Sequence, residues 1–167
     1  MIARHIATYP FVFCASPAYL ARAGTPQTPE DLKQHACLVF RYPVDGRFFL
    51  PWKFVRNGQR FDAPIQPGFI CDDIEMLAQI ALNDGGVVRL ADFVAQPLID
   101  GGKLRPLFET APGDVDGAVP EPMEIYACVA ERAALNTRVR AFIEFVAEAL
   151  QAPLPHATPA VEWSGRS

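Results

Sequence analysis

Short apolar runs alternate with helix-start signals along most of the chain, and this alternation constrains the fold more than any other feature. The run Phe11–Ala15 has the length and composition of a buried strand. Ser16 and Pro17 follow it as a predicted N-cap and first helical residue, and Gly24 ends that helix. Similar apolar runs recur later, at residues 37–42, 68–71, 87–90, 103–108 and 124–129. Strands that alternate with helices in this way predict an α/β layer fold with a mostly parallel sheet.

Turn and capping residues place further elements between these runs. Asn57 and Gly58 separate residues 52–56 from residues 60–65 and predict a tight hairpin, because both residue types accept positive φ. Thr28 is expected to cap a short helix, and Asp92 a helix that Pro97 interrupts.

Three longer segments complete the prediction of secondary structure. Asp72 is expected to cap a helix that reaches about Asn83, with Glu75 completing a capping box. Residues 109–122 have no apolar period and predict a loop. The last predicted helix ends near Leu150 and has one apolar stripe, formed by Val139, Phe142, Ile143, Val146 and Leu150.

Length and charge exclude several classes of protein. A chain of 167 residues, half of them hydrophobic, is long enough for one domain with a real core. The formal net charge of −4 argues against DNA binding by this chain alone. No apolar run approaches the roughly 20 residues of a membrane span, and the N-terminus has no secretion signal. We therefore expect a cytoplasmic protein without a membrane partner.

The cysteines and histidines show no metal-site spacing. Cys14, Cys37, Cys71 and Cys128 all lie in apolar stretches and are predicted to be buried free thiols. The three histidines, His5, His35 and His156, are scattered and are expected at the surface or at helix ends. No nucleotide-binding glycine motif is present. The sequence therefore predicts no metal and no cofactor.

Polar residues cluster at one predicted junction between a strand and a helix. Asp72, Asp73 and Glu75 lie there, where open α/β sheets place ligand sites. Helix capping is the favoured explanation of Asp72 and Glu75, and it leaves Asp73 less well explained. Arg89 interrupts a buried run and either ends it at the solvent or faces a crevice. Ser16 fits an N-cap better than a nucleophile.

Several motifs resemble one family in order along the chain. The stretch at residues 12–26 begins Val-Phe-Cys-Ala-Ser-Pro-Ala-Tyr-Leu, and residues 29–32 and 35–38 continue the match. Trp52-x-Phe54, Asp72-Asp73, residues 86–90 and 102–107, and the final helix follow in the family's order. These residues are similar to the effector-binding domain of LysR-type transcriptional regulators, over nearly all of residues 1–152.

The resemblance implies a type II periplasmic-binding-protein fold, in which two α/β lobes are joined by two crossing strands. On this chain, residues 1–15 would be a remnant of the first lobe with the first crossing strand, which is Phe11–Ala15. Residues 16–123 would form the complete second lobe. Residues 124–152 would contain the second crossing strand and the C-terminal helix of the first lobe, and residues 153–167 a disordered tail.

The family's effector site lies between the lobes, next to the crossing strands and the junctions between strands and helices. Carried over to this chain, that site would contain Ala15, Ser16, Phe69, Ile70, Cys71, Asp72, Asp73 and Arg89. Ala91 stands where many family members have proline, which loosens the turn without removing the site.

The implied function is therefore the regulatory, effector-binding part of a LysR-type regulator, and not an enzyme. The effector would be a small molecule such as an organic acid. A homodimer or higher self-association is expected, and DNA would be bound through an N-terminal winged helix-turn-helix that this chain lacks. Two alternatives stay open: a small enzyme that uses Asp73 with Cys71 or Arg89, and a solute-binding protein of the same fold.

Overall fold

The computed structural model describes residues 2–42, 51–109, 117–130 and 137–151. The chain falls into two compact units, Thr8–Glu124 and a smaller one formed by Met1–Ala7 with Ile125–Ser167. The predicted tail at residues 153–167 lies outside the described residues, as do residues 110–116 of the predicted loop.

The larger unit begins within β1 (Ile2–Tyr9) and continues through β2 (Phe11–Ala15), α1 (Pro17–Ala23), a 3-10 helix (Pro29–Gln34) and β3 (Ala36–Phe40). The hairpin strands β4 (Lys53–Arg56) and β5 (Gln59–Asp62) precede β6 (Gln66–Cys71), α2 (Ile74–Leu82) and β7 (Val87–Ala91). The unit ends with α3 (Asp92–Asp100), β8 (Arg105–Leu107), β9 (Val119–Pro120) and the start of β10 (Met123–Val129).

The main sheet of this unit has five strands in the order β6-β3-β7-β2-β8. Strand β3 is parallel to β6 and β7, whereas β2 is antiparallel to β7 and β8. The predicted α/β layering is present, but the sheet is mixed and not mostly parallel. The apolar run of β2 predicts a strand, but it does not indicate which strands lie beside it or in which direction they run.

Alternating side chains of the main sheet form two separate cores. Phe13, Cys37 and Val87 face one side, where they join Trp52 and Phe54 from the hairpin region. The Phe13 ring lies 4.9 Å from the Trp52 ring and 4.8 Å from the Phe54 ring, centre to centre. The opposite side is formed by Cys14, Leu38, Val88 and Leu90, which α2 and α3 cover with Leu77, Ala81 and Ala95.

A smaller sheet of three strands, β5-β4-β9, lies within the same unit. The predicted hairpin is confirmed, since Asn57 and Gly58 have φ values of 52° and 74° between β4 and β5. Strand β9 was wrongly predicted as loop. Its two residues, Val119 and Pro120, form a strand only because they pair with Val55 and Phe54 of β4.

Two helices differ in detail from the prediction. The helix α3 begins at Asp92, so Ala91 and not Asp92 is its N-cap, and the helix continues through Pro97 to Asp100 without interruption. Pro97 is the sixth residue of α3, so its missing N–H removes one hydrogen bond, the one to the Phe93 carbonyl oxygen, and the rest of the helix is retained. The segment after Thr28 is a 3-10 helix, with the Thr28 backbone N–H donating to Asp31 at 2.9 Å.

The smaller unit contains a sheet of two strands, β1 and β10, and the helix α4 (Thr137–Gln151). Ile143 and Ala147 of α4 are buried with Ile6 of β1. The sequence places Phe142 on the apolar stripe of this helix, but Phe142 is 66% exposed, and the neighbouring Phe145 is 67% exposed. Phe11–Ala15, which the family resemblance implies to be the first crossing strand, lies wholly within the larger unit. The boundaries between the two units fall inside β1 and β10.

The four cysteines are free, and only two of them match the predicted burial. Cys14 and Cys37 are buried, and this burial raises the pKa of each thiol to about 12. Cys71 is half-buried and Cys128 is exposed. None of the described helices is long and apolar enough to cross a membrane.

Candidate functional site

The larger unit contains a pocket of about 290 Å³ at one end of the two sheets. It is bounded by aromatic, proline and methionine side chains together with charged groups of both signs. The lining residues are Phe11, Tyr42, Pro51, Lys53, Arg89, Glu121, Pro122 and Met123.

Arg89 is the most unusual of these residues, because it lies on a strand that is otherwise buried. In β7 it is directly opposite Phe13 of β2, with buried Val88 and Leu90 as its chain neighbours. Because side chains alternate along a strand, Arg89 lies on the same side of the sheet as Val87. This is the side that packs against Trp52 and Phe54, so Arg89 takes a position where an apolar side chain would be expected. Its guanidinium carbon lies 4.5 Å from the centre of the Phe11 ring. The sheet therefore fixes a half-buried cation against an aromatic wall.

The guanidinium of Arg89 lies near the side chains of Tyr42 and Glu121. Burial lowers the pKa of the guanidinium from its ordinary value, while the nearby Tyr42 and Glu121 oppose that change. An arginine keeps its charge at neutral pH in spite of such a shift. No carboxylate among the described residues forms an ion pair with Arg89. A guanidinium has five N–H donors, so the half-buried Arg89 can donate to an anionic ligand in this pocket.

Two further charged residues enter the pocket from the smaller sheet. Lys53 begins β4, and the Glu121 backbone N–H donates to the Lys53 carbonyl oxygen at 2.9 Å. Glu121 directly follows β9, and this backbone bond holds it beside Lys53, so the two residues lie together on the pocket lining. Glu121 is also 2.9 Å from Arg60 Nε through its Oε1 atom.

This arrangement is suited to binding. Arg89 offers a planar set of donors that matches a carboxylate, Lys53 adds a second positive charge, and Phe11, Pro122 and Met123 supply apolar walls. The described lining residues include no serine, cysteine or histidine. In the described part of the chain, no cluster of three or more His, Cys, Asp or Glu could hold a metal ion.

Ala15 and Ser16, two of the predicted site residues, lie away from this pocket. Ala15 is fully buried in the core beside Phe13. The Ser16 hydroxyl donates to Asp84 at 2.6 Å and accepts from the Tyr19 backbone N–H at 3.1 Å, as its predicted N-cap role requires. Both residues therefore contribute to the structure around α1.

Phe69 and Ile70 lie on β6, which is an outer strand of the main sheet. They are 42% and 39% exposed. The half-buried Cys71 ends this strand, with its sulphur 3.4 Å from the Asp73 backbone N–H. Phe69, Ile70 and Cys71 thus form one continuous stretch next to Asp72 and Asp73, but none of them lines the pocket of Arg89.

The prediction that Asp72 caps α2 is wrong. Asp73 is the N-cap, and its Oδ1 accepts from the Glu75 and Met76 backbone N–H groups at 2.9 and 3.1 Å. Asp72 forms an exposed ion pair with Arg41 at 2.7 Å, and this pair lowers the pKa of the Asp72 carboxyl. Aspartate is a common N-cap residue, so the sequence alone does not distinguish Asp72 from Asp73. Asp73 is the cap because the helix begins at Ile74.

Of the predicted site residues, Arg89 alone lines the pocket. Sequence reasoning missed Phe11, Tyr42, Lys53 and Glu121 as its neighbours. Arg89 could be recognised because a charge interrupts an apolar run, whereas a lysine or glutamate beside a turn carries no such signal. These residues meet only through the packing of two sheets.

Comparison with known proteins identifies the family. The model of the LysR substrate binding domain matches residues 1–151. The chain belongs to this family. The resemblance in the sequence is thereby confirmed, since the match extends over nearly all of the chain up to residue 151.

Two curated relatives, both regulators, are longer than this chain. The HTH-type transcriptional regulator CrgA of Neisseria meningitidis serogroup B is 34% identical over 148 residues, which are 89% of this chain and 46% of CrgA. The HTH-type transcriptional regulator YcaN of Escherichia coli is 29% identical over 133 residues, covering 79% of this chain and 40% of YcaN. The chain thus spans less than half the length of either relative, and both are transcriptional regulators.

Solved structures agree on the fold. The regulatory domain of CrgA has a TM-score of 0.57 at 35% identity, covering 89% of this chain and 68% of that domain. Full-length AphB of Vibrio cholerae has a TM-score of 0.64 at 23% identity and covers 89% of this chain and 48% of AphB. The predicted α/β fold of the periplasmic-binding-protein type is confirmed.

Proposed function

We propose that the pocket around Arg89 binds a small organic acid, which is the effector of the regulator to which this chain belongs. One observation carries the proposal: Arg89 is a half-buried cation, stacked on Phe11, that forms no ion pair with a described carboxylate. A carboxylate would bind the guanidinium through two parallel hydrogen bonds. Lys53 would add electrostatic attraction at the rim.

The bound acid would act by shifting the population of conformations of the regulator. A ligand changes such an equilibrium by its difference in affinity for the two states. In the full-length dimer, the shift would alter how the N-terminal winged helix-turn-helix domains contact DNA. This proposal includes the homodimer and the cytoplasmic location expected from the sequence.

Seven residues remain a prediction from the family resemblance, namely Ala15, Ser16, Phe69, Ile70, Cys71, Asp72 and Asp73. The same holds for the division into a complete second lobe at residues 16–123 and parts of a first lobe. Contacts of Ser16 and Asp73 with the backbone favour structural roles for these two side chains. We therefore give Arg89 the leading role in binding.

Isothermal titration calorimetry of the full 167-residue chain tests the proposal with a panel of aromatic and aliphatic carboxylic acids. Replacing Arg89 with glutamine should weaken binding by about tenfold or more, because a hydrogen bond to a charged group contributes roughly 1.5–3 kcal/mol. Arg105→Gln is the matched control, since Arg105 is exposed on β8 and does not line the pocket. Equal affinities for Arg89→Gln and the wild type, or no binding of any acid, would overturn the proposal.

A further inference from the structure

The pocket of Arg89 contains charges of both signs, which a simple acid does not match. Arg89 and Lys53 are cations, and Glu121 is a carboxylate on the same lining. A ligand with only a carboxylate would gain from the two cations but would also meet the negative charge of Glu121. The full charge pattern is matched by a molecule with a negative and a positive group.

Glu121 is held in place from two directions. Its backbone N–H donates to Lys53, and its carboxylate contacts Arg60 Nε at 2.9 Å. The Glu121 side chain is 23% exposed, whereas that of Arg60 is 75% exposed, so Arg60 approaches from the solvent. An ion pair with such an exposed partner is weak. A carboxylate accepts about four hydrogen bonds, so Glu121 retains capacity to bind a ligand.

Resting on the proposed function, we propose that the ligand is an amino-substituted carboxylic acid, such as an amino acid. Its carboxylate binds Arg89 and Lys53, and its protonated amine donates to Glu121. The remaining part of the ligand packs against Phe11, Pro122 and Met123. Glu121 is then the residue that determines specificity, because it distinguishes an amino acid from the same acid without its amine.

Matched pairs of acids test this inference on the full wild-type chain. Butanoate is compared with 2-aminobutanoate, and 3-phenylpropanoate with phenylalanine, by calorimetry in the same buffer. Each pair differs by one amine. We expect the amino member of at least one pair to bind about tenfold more tightly, as a charge-assisted hydrogen bond to Glu121 requires.

The variant Glu121→Gln isolates the role of the carboxylate. Glutamine keeps the size of the side chain and removes its charge, so the preference for the amino member should disappear. Glu75→Gln is the matched control, because Glu75 is exposed on α2 and does not line the pocket. Circular dichroism of both variants establishes that they are folded, and the wild-type comparison does not depend on them.

The outcomes separate this inference from the proposed function. If acids bind the wild type but no amino member is preferred, the inference is overturned and the proposed function stands. A preference that persists unchanged in folded Glu121→Gln also overturns it, because Glu121 then does not contact the amine. If no member of either pair and no other acid binds, both proposals fail together.

Discussion

The guanidinium of Arg89 stacks on the ring of Phe11, with 4.5 Å between the guanidinium carbon and the ring centre. The two residues belong to neighbouring antiparallel strands, where Phe11 is opposite Ala91 and Arg89 is opposite Phe13. They are therefore diagonal neighbours on one face of the sheet, and the register alone brings them together. This contact orients the cation to which we assign the effector carboxylate.

Replacing Phe11 with leucine should weaken acid binding while the chain stays folded. A cation–π contact contributes about 1 kcal/mol at a partly buried site, which corresponds to about fivefold in Kd. Calorimetry with the tightest-binding acid measures the change. Phe93→Leu is the control, because Phe93 is an exposed aromatic residue outside the pocket. A Phe11→Leu variant that binds as tightly as the wild type would contradict the orienting role of the ring.

Replacing Asp73 with alanine should destabilise the protein more than replacing Asp72. Asp73 accepts two backbone hydrogen bonds at the start of α2, and loss of an N-cap typically costs about 1 kcal/mol. The ion pair of Asp72 with Arg41 is exposed and screened by solvent. Urea denaturation of the two variants measures the free energies of unfolding. The reverse order would show that Asp72, as the sequence suggested, is the true cap.

Replacing Gly86 with alanine should destabilise the fold by more than the roughly 1 kcal/mol of an average substitution. Gly86 has φ of 150°, and an added Cβ would overlap the carbonyl oxygen of Ala36 on β3. Since that oxygen belongs to the backbone, neither group can move without disturbing the sheet. Thermal denaturation checks this effect against Gly24→Ala, whose Cβ would meet no atom within 4 Å. Equal melting temperatures for the two variants would exclude the clash.

The stability of the protein should decrease as the pH falls from 7 to 5, because of His35. Its Nδ1 atom lies 3.1 Å from the Tyr19 hydroxyl, which accepts from the Ala36 backbone N–H at 3.0 Å. Burial lowers the pKa of His35 below the ordinary value of 6.5, and Asp31 opposes this only in part. The unfolded chain therefore binds a proton at a higher pH than the native chain. The stabilisation from neutral His35 is complete above about pH 6.5 and is lost as the pH falls through the lowered pKa.

Urea denaturation at several pH values measures this dependence. The variant His35→Gln should show a smaller slope between pH 7 and 5, although it loses some stability at every pH. Glu30 and Asp31 have pKa values below their ordinary range, so their effects appear at lower pH than that of His35. An unchanged slope in His35→Gln would rule out His35 as the titrating group.

Much of the secondary structure was predictable because it depends on neighbouring residues. The Asn57-Gly58 turn, the Ser16 cap and the strand Phe11–Ala15 each follow from a few adjacent side chains. The prediction failed where distant residues decide. Val119 and Pro120 become a strand through pairing with β4, and Phe142 is exposed because Ile143 and Ala147 face the sheet instead.

The sequence by itself determined the α/β layering and the family, and it identified Arg89 as a charge out of place in an apolar strand. Tertiary structure alone decided that β2 runs antiparallel to β7, that Asp73 caps α2, and that Arg89 faces Tyr42, Lys53 and Glu121. The physical reason is the distance along the chain between the residues that interact. Capping and turn preferences act over a few residues, whereas a pocket is formed by side chains that come together only when separate sheets pack.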